Sequence, residues 1–166
     1  MTVESIKDGI TATETDSSPV LGDLVLQGFV DGLDERQIAQ ELEKSIFTIH
    51  RIVRGIAFKA DPNRTRPFKD NLILAIIDGV ENGSISVENL LKKPRRDLSQ
   101  QGALILALTV ARFDSLTIMR KLGIVPLQFD LFRDNICSKL GVPNFLGAVA
   151  LATAANMRVN RQQASV

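Results

Sequence analysis

The basic side chains of this chain are concentrated in one segment. Residues 44–70 contain seven lysines and arginines and two acids, whereas residues 21–43 contain one arginine and six acids. Residues 45–60 contain no acid, and Arg51, Arg54 and Lys59 follow one another there at helical spacing. Such a local positive field attracts polyanions, although the net charge of the whole chain is only +1. A solvated helix face has the same pattern, and the sequence alone leaves that alternative open.

The residue types give little support for catalysis, metal binding or disulfide formation. His50 is the only histidine and Cys137 the only cysteine, so no disulfide forms within the chain, and each is expected to be a surface or packing residue. There is no Cys/His cluster with metal-ligand spacing, no glycine-rich phosphate loop after a strand and no recognisable Ser/His/Asp set. We therefore predict no enzyme activity, no catalytic residues, no metal site and no cofactor.

The composition indicates a cytoplasmic protein that is not embedded in a membrane. Hydrophobic residues make up 45% and charged residues 23%, which is typical of globular chains. The start "MTVESIKDGITATETDSS" lacks the basic and apolar parts of a signal peptide. No apolar run approaches the roughly 18–20 residues that a membrane span needs.

Helical signals follow one another along the chain with little sign of strands, which predicts an all-α fold with about nine helices. Asp34 and Ser45 are expected to cap two of these helices. The helices "FKDNLILAIIDGV" and "FLGAVALATAANM" are apolar on nearly all sides, so each must pack against more than one neighbour. Residues 1–18 are predicted to form a flexible arm and residues 158–166 a frayed polar tail.

The two parts of the chain have the same outline. A shift of eighty residues aligns about thirty-five positions without a gap and matches mostly positions that packing would bury. Val25 then matches Ile105, Ile38 matches Ile118, and Ile49 matches Phe129. Two copies of one supersecondary unit are the simplest explanation.

Each copy resembles the LuxR-type (NarL/FixJ-like) helix-turn-helix domain. The first copy carries the resemblance in "VLQGFVDGLDERQIAQELEKSIFTIHRIVRGIAFK" and the second in "ILALTVARFDSLTIMRKLGIVPLQFDLFRDNICSKLGVPNFLGAVALA". The most specific parts are "KLGVPNFLGAVALA" and "GLDERQIAQEL". The resemblance implies a first unit at residues 19–84, a connector with a short helix at 85–97 and a second unit at 98–157. A receiver or sensor domain usually precedes such a unit in this family, and we expect none in this chain.

In this family the third helix of the unit lies in the major groove of duplex DNA, and flanking bases hold phosphates. The resemblance therefore implies DNA contacts from the third helix of the first copy and the loop after it, where arginines suit guanine or phosphate. The implied DNA-binding residues are Ser45, Phe47, Thr48, His50, Arg51, Arg54, Lys59, Arg64 and Arg66, with Ile46 also exposed.

The two copies depart from the family pattern in opposite ways. In the first, Lys44 stands in the turn where an apolar residue normally packs. In the second, Asp130 and Asp134 fall on the face that would meet phosphates, which opposes DNA binding. We therefore expect a transcriptional regulator that reads duplex DNA through the first copy, with a structural or dimerising second copy.

An adaptor or anti-regulator that binds another regulatory protein through a degenerate helix-turn-helix fold is the alternative function. The resemblance also implies that the fourth helices seek a helical partner. We expect the two halves to pack together in one chain, and the sequence leaves open whether a homodimer forms through the remaining face.

Overall fold

A computed structural model describes residues 19–92 and 94–163 of the chain. The predicted arm at residues 1–18 and the end of the predicted tail, residues 164–166, lie outside the described residues. Every regular element in the described ranges is an α-helix, which confirms the all-α prediction. The helices are α1 (Pro19–Asp31), α2 (Glu35–Glu41), α3 (Ile46–Ala60), α4 (Phe68–Asn82), α5 (Glu88–Leu91), α6 (Gln100–Val110), α7 (Ser115–Leu122), α8 (Pro126–Leu140) and α9 (Phe145–Gln163).

The two predicted caps are confirmed. The Asp34 carboxylate accepts hydrogen bonds from the backbone N–H groups of Arg36 and Gln37, and the Gln37 side chain accepts one from the Asp34 N–H. Ser45 Oγ accepts a hydrogen bond from the Thr48 N–H over 3.0 Å. These bonds satisfy backbone donors that the first turn of a helix leaves without partners, so they fix where α2 and α3 begin.

Two helices differ from the predicted bounds. The connector helix α5 has only four residues, fewer than "SVENLLKK" indicated. Helix α9 continues to Gln163, six residues beyond the predicted end at Met157. No glycine or proline interrupts residues 158–163, and arginine and glutamine are good helix formers.

The helical outline repeats at the offset that the sequence indicated. Helices α7 and α8 begin eighty residues after α2 and α3, and α3 and α8 have fifteen residues each. Matched positions are buried in both halves, as Val25 and Ile105 are at 0% exposure, and Ile38 and Ile118 at 1%. The first half (α1–α4) and the second half (α6–α9) therefore share these buried positions.

The left-handed residues that end helices also recur at this offset. Gly32 (φ 96°) matches Arg112 (φ 67°), and Glu43 (φ 52°) matches Gly123 (φ 65°). Each turn is closed by an N–H that bonds the carbonyl five residues earlier, for example Lys44 to Ala39 over 2.9 Å. Glycine adopts positive φ without a steric cost, whereas other residues are strained there. Each half thus holds one strained residue where the other has glycine.

The Glu43→Gly variant is expected to be more stable than the wild type by about 0.5–1 kcal/mol, because it relieves a positive φ. Gly123→Glu should lower the stability by a similar amount, since no atom lies within 4 Å of the position a Cβ would take and only the backbone is strained. Urea unfolding curves of both variants would measure this pair of opposite shifts. Equal stabilities would contradict this account of the turns.

One hydrophobic core runs through both halves. Helix α4 packs against α3 on one side and against α9 on another, and α9 also contacts α1, α6 and α8. Ile76 and Ile77 of α4 and Ala148 and Val149 of α9 are fully buried. The two fourth helices therefore cover each other, as their excess of apolar surface predicted.

The halves are also joined by two reciprocal corner contacts. At the end of α1, the Phe29 carbonyl accepts a hydrogen bond from Asn144 Nδ2 over 2.6 Å. A Cβ on Gly32 would lie 2.5 Å from the Cβ of Pro143, so this corner has room only for glycine. At the equivalent end of α6, the Arg112 carbonyl accepts a hydrogen bond from the Arg66 guanidinium over 2.9 Å. Each half thus places its first corner against the loop that precedes the fourth helix of the other half.

Asp70 strengthens the second of these corners. Its carboxylate is 6% exposed and accepts hydrogen bonds from the backbone N–H and the hydroxyl of Ser115, over 3.0 and 2.8 Å. Arg112 binds Asp78 and Glu81, each over 2.8 Å, and the hydrogen bond to Asp78 is the main cause of its raised pKa. At this second corner the polar ties therefore run from α4 and the loop before it to the loop between α6 and α7 and to the first residue of α7.

Candidate nucleic-acid interface

Helix α3 is held so that one face points outward. Ile49, Ile52, Val53 and Ala57 are buried against the core, and they set the rotation of the helix. The turn at Glu43 and the Ser45 cap set where the helix starts. The side of α3 opposite the core is consequently exposed along most of its length.

Four residues form a continuous stripe on this outer side: Phe47, Arg51, Arg54 and Phe58. They are separated by four, three and four positions, so at 3.6 residues per turn they lie one above another. Phe47 is 75% exposed and Phe58 is 52% exposed, and both arginines are exposed. We call these four residues the α3 stripe. It presents two cations between two aromatic rings.

Residues beside the α3 stripe extend its positive and hydrogen-bonding character. His50 is exposed, and its Nδ1 lies 3.3 Å from Glu35 Oε2. The guanidinium of Arg64 lies over the Phe58 ring at 5.9 Å, which places this loop cation at the C-terminal end of the stripe. Ile46 is exposed as well. Six of the sequence-predicted residues therefore meet on or beside one face: Phe47, His50, Arg51, Arg54, Arg64 and Ile46.

The hydroxyls at the start of α3 bind each other. Ser45 Oγ and Thr48 Oγ1 are 2.9 Å apart, and Ser45 Oγ also caps the helix. Thr48 is half-buried, in contrast to the expectation that it is exposed. These two predicted residues thus set the start of the helix, and their hydroxyls reach outward less than the side chains of the stripe.

A cleft of about 640 Å³ opens on one side of α3, between α1, α3 and α4. Arg51 and Lys59 line it together with the carboxylates of Asp23 and Asp78. Lys59 therefore belongs to a wall of mixed charge, and Arg51 borders both this cleft and the stripe. Arg54 belongs to the stripe and does not line this cleft.

Arg66 has a different role from the predicted one. It is half-buried, and its guanidinium donates to the Arg112 carbonyl in the contact between the halves. Its backbone N–H donates to Asp61, whose buried carboxylate also accepts from the Thr65 hydroxyl. Arg66 thus helps to join the halves, and the prediction that it reaches DNA has no support in this geometry.

The equivalent face of α8 has the opposite charge. Leu127 is 72% exposed and Leu131 is 61% exposed, and Asp130 and Asp134 are exposed between and beside them. We call these four residues the α8 stripe. Its carboxylates repel phosphates, as the sequence indicated for the second copy.

Sequence reasoning missed the position of Arg133. Its guanidinium lies over the rings of Phe129 and Phe145, at 5.7 and 4.5 Å from their centres, and its side chain is only 23% exposed. At the offset of eighty residues Arg133 matches Val53, which is buried. This match could have predicted that the Arg133 side chain points inward. Its guanidinium lies inward of the α8 stripe, with Nη1 3.6 Å from Asp130 Oδ1.

Cys137 is partly buried against the core, as predicted for a packing residue. Burial raises the pKa of its thiol to about 11. At pH 8 only about one native thiol in a thousand is then ionised, so iodoacetamide should react about a hundredfold more slowly than in the unfolded chain. Mass spectrometry of timed samples with and without denaturant would measure both rates. Equal rates would show that the thiol is accessible in the folded state.

The described residues contain no group of three His, Cys, Asp or Glu side chains placed to hold a metal ion. Within the same ranges no single helix is long and apolar enough to cross a membrane. Helices α8 and α9 meet the length and composition of a span only when joined across a bend of 63°.

Comparison with known proteins gives no relative for this chain: no family model, curated protein or solved structure matches it. The LuxR-type resemblance therefore stays a prediction from sequence motifs.

Proposed function

We propose that this protein is a transcriptional regulator that binds duplex DNA through the outer face of α3. The observation that carries the proposal is the α3 stripe, in which Arg51 and Arg54 stand exposed on a helix that contains no acid. Arginine at such positions forms bidentate hydrogen bonds with guanine or with phosphate. His50 beside the stripe adds a further donor.

The way α3 is held supports this proposal. A recognition helix needs a rigid mount, because its side chains must meet base edges at fixed positions. Here α3 packs against α1, α2 and α4, and the capped turn after α2 fixes its start. In this proposal the two halves are divergent helix-turn-helix units of the LuxR type, and the second half serves to complete the core.

The proposal predicts that short random-sequence duplexes are retarded by the protein at low salt and released as salt rises. The affinity should fall steeply with salt, because each phosphate contact releases condensed counterions. Electrophoretic mobility at several salt concentrations measures the slope. Absence of any retardation at the lowest salt would contradict DNA binding.

A second expectation concerns the acids of α8. The double variant Asp130→Lys, Asp134→Lys should bind random duplex DNA at least as tightly as the wild type, because two repulsive charges become attractive. The same mobility assay compares the two proteins, with circular dichroism as a check on folding. A large loss of affinity in a folded variant would show that α8 already faces DNA or a basic partner.

The α8 stripe favours a second candidate function, that of an adaptor or anti-regulator which binds another regulatory protein. Leu127 and Leu131 are exposed far more than core packing requires, and exposed apolar clusters often mark protein-binding surfaces. The salt titration separates the candidates, since an adaptor of this kind has no need to retard DNA. Localisation in the cytoplasm is part of either proposal.

A further inference from the structure

The outer faces of α3 and α8 carry charges of opposite sign, and Arg54 and Asp134 occupy matching positions. His50 and Arg54 on α3 correspond, at the offset of eighty residues, to Asp130 and Asp134 on α8. Every exposed charged or titratable side chain within α3 is cationic or imidazole, namely His50, Arg51, Arg54 and Lys59. Within α8 the exposed charged side chains are the two aspartates. One chain therefore displays two helical faces with complementary electrostatic potential.

Both faces also expose large apolar side chains. On α3 these are Phe47 and Phe58, and on α8 they are Leu127 and Leu131. Burial of side chains of this size lowers the free energy, so their grouping on two helices marks candidate contact surfaces. Each face thus combines apolar anchors with charges of one sign.

We infer that the α3 face of one molecule binds the α8 face of a second copy of this chain. The two helices have the same length, fifteen residues, which is about 22 Å of contact at the rise of an α-helix. The apolar side chains of the two stripes can cover one another, and Arg54 can pair with an aspartate of the partner. Two chains that bind reciprocally use both faces of each molecule and cover both stripes, so this dimer cannot hold DNA on α3 at the same time.

Two local interactions compete with this contact without removing it. Arg133 Nη1 lies 3.6 Å from Asp130 Oδ1, and Glu35 lies beside His50. The His50–Glu35 pair is at the surface, where an ion pair contributes little, and the 3.6 Å between Arg133 and Asp130 is long for a charge-assisted hydrogen bond. Asp134 and Arg54 are therefore the residues on which the charge complementarity depends most. A small contact of this kind gives weak association that salt weakens further.

The test uses the full chain and two charge reversals, Arg54→Glu and Asp134→Lys. Sedimentation velocity over a range of protein concentrations at low salt measures association, in the absence of DNA. We expect the wild type to associate reversibly and each single variant to have a dissociation constant raised about tenfold or more, because each variant places like charges against each other. The variants Glu88→Lys and Arg95→Glu change equally exposed charges in the connector and should associate as the wild type does.

The decisive sample is an equimolar mixture of Arg54→Glu and Asp134→Lys. In the mixed pair, the glutamate of one variant faces the lysine of the other, while the second contact keeps its native Arg54 and Asp134. Association should therefore return to the wild-type level in the mixture. That recovery requires both variants to be folded, so unfolding cannot imitate it.

Three outcomes overturn the inference: a wild type that stays monomeric at every concentration, a single variant that associates as the wild type does, or a mixture that stays monomeric. Because the assay contains no DNA, its result is independent of the proposed regulator function. Failure of DNA binding with successful recovery would leave self-association as a property of the two stripes alone.

Discussion

Replacement of Arg51 and of Arg54 by alanine is expected to reduce affinity for duplex DNA by about 1–3 kcal/mol each, and the double variant should lose more affinity than either single variant. The two guanidinium groups belong to the exposed stripe of α3, and no acid in that helix offsets them. Loss of each phosphate contact should also lower the salt dependence of binding by about one unit of slope. Fluorescence anisotropy with a labelled duplex at several salt concentrations measures both quantities.

The matched control for this experiment is Arg120→Ala. Arg120 is an exposed arginine in α7 of the second half, so its removal changes the net charge of the chain without touching α3. Its affinity should remain close to that of the wild type. Circular dichroism should give the same helical signal for all variants, because the substituted side chains are exposed. If the double variant binds DNA as tightly as the control does, α3 is not the DNA-reading helix.

Replacement of Ile77 by alanine is expected to lower the free energy of unfolding by about 2–5 kcal/mol, the range for large-to-small changes in well-packed cores. Ile77 is fully buried in α4, the helix that packs against both α3 and α9. Because the core is continuous across the halves, the variant should still unfold in one transition at a lower denaturant concentration. Urea titration followed by circular dichroism measures the midpoint and the slope.

Ile46→Ala serves as the comparison, because Ile46 is 47% exposed at the start of α3 and its truncation should cost less than about 0.5 kcal/mol.

Expression of residues 1–84 and 97–166 as separate chains also tests whether the two halves share one core. Each fragment would expose the fourth-helix surface that the other normally covers. Two soluble, monomeric fragments with independent melting transitions would show that the halves do not share a core.

The parts of the fold that sequence patterns could predict are those with local causes. Asp34 and Ser45 cap helices through bonds to residues three positions away, so their signal lies within one turn of chain. The buried faces follow from apolar residues at helical spacing, which is why Ile49 and its match Phe129 are buried as expected. The exposed arginines of α3 follow from the same periodicity.

The features that sequence patterns missed depend on distant partners. In the sequence Arg66 resembles the other cations of the basic segment, but its guanidinium donates a hydrogen bond to the Arg112 carbonyl, 46 residues further along the chain. Asp70 can be buried because its carboxylate accepts two hydrogen bonds from Ser115, 45 residues further along the chain. Arg133 turns inward because two phenylalanine rings receive it. Charge and periodicity predict where a side chain points only while no partner from another element is available.

The corner contact between Phe29 and Asn144 has a consequence for synthesis on the ribosome. These residues are 115 positions apart, so the Phe29 carbonyl cannot form this hydrogen bond until Asn144 has been synthesised. At about 5–20 residues per second this delay lasts roughly 6–23 s. Once α4 has been synthesised, the surface that α9 will cover is exposed in the nascent chain. We therefore expect that, until α9 has left the exit tunnel, the first half of the nascent chain either collapses slowly or is protected by a chaperone.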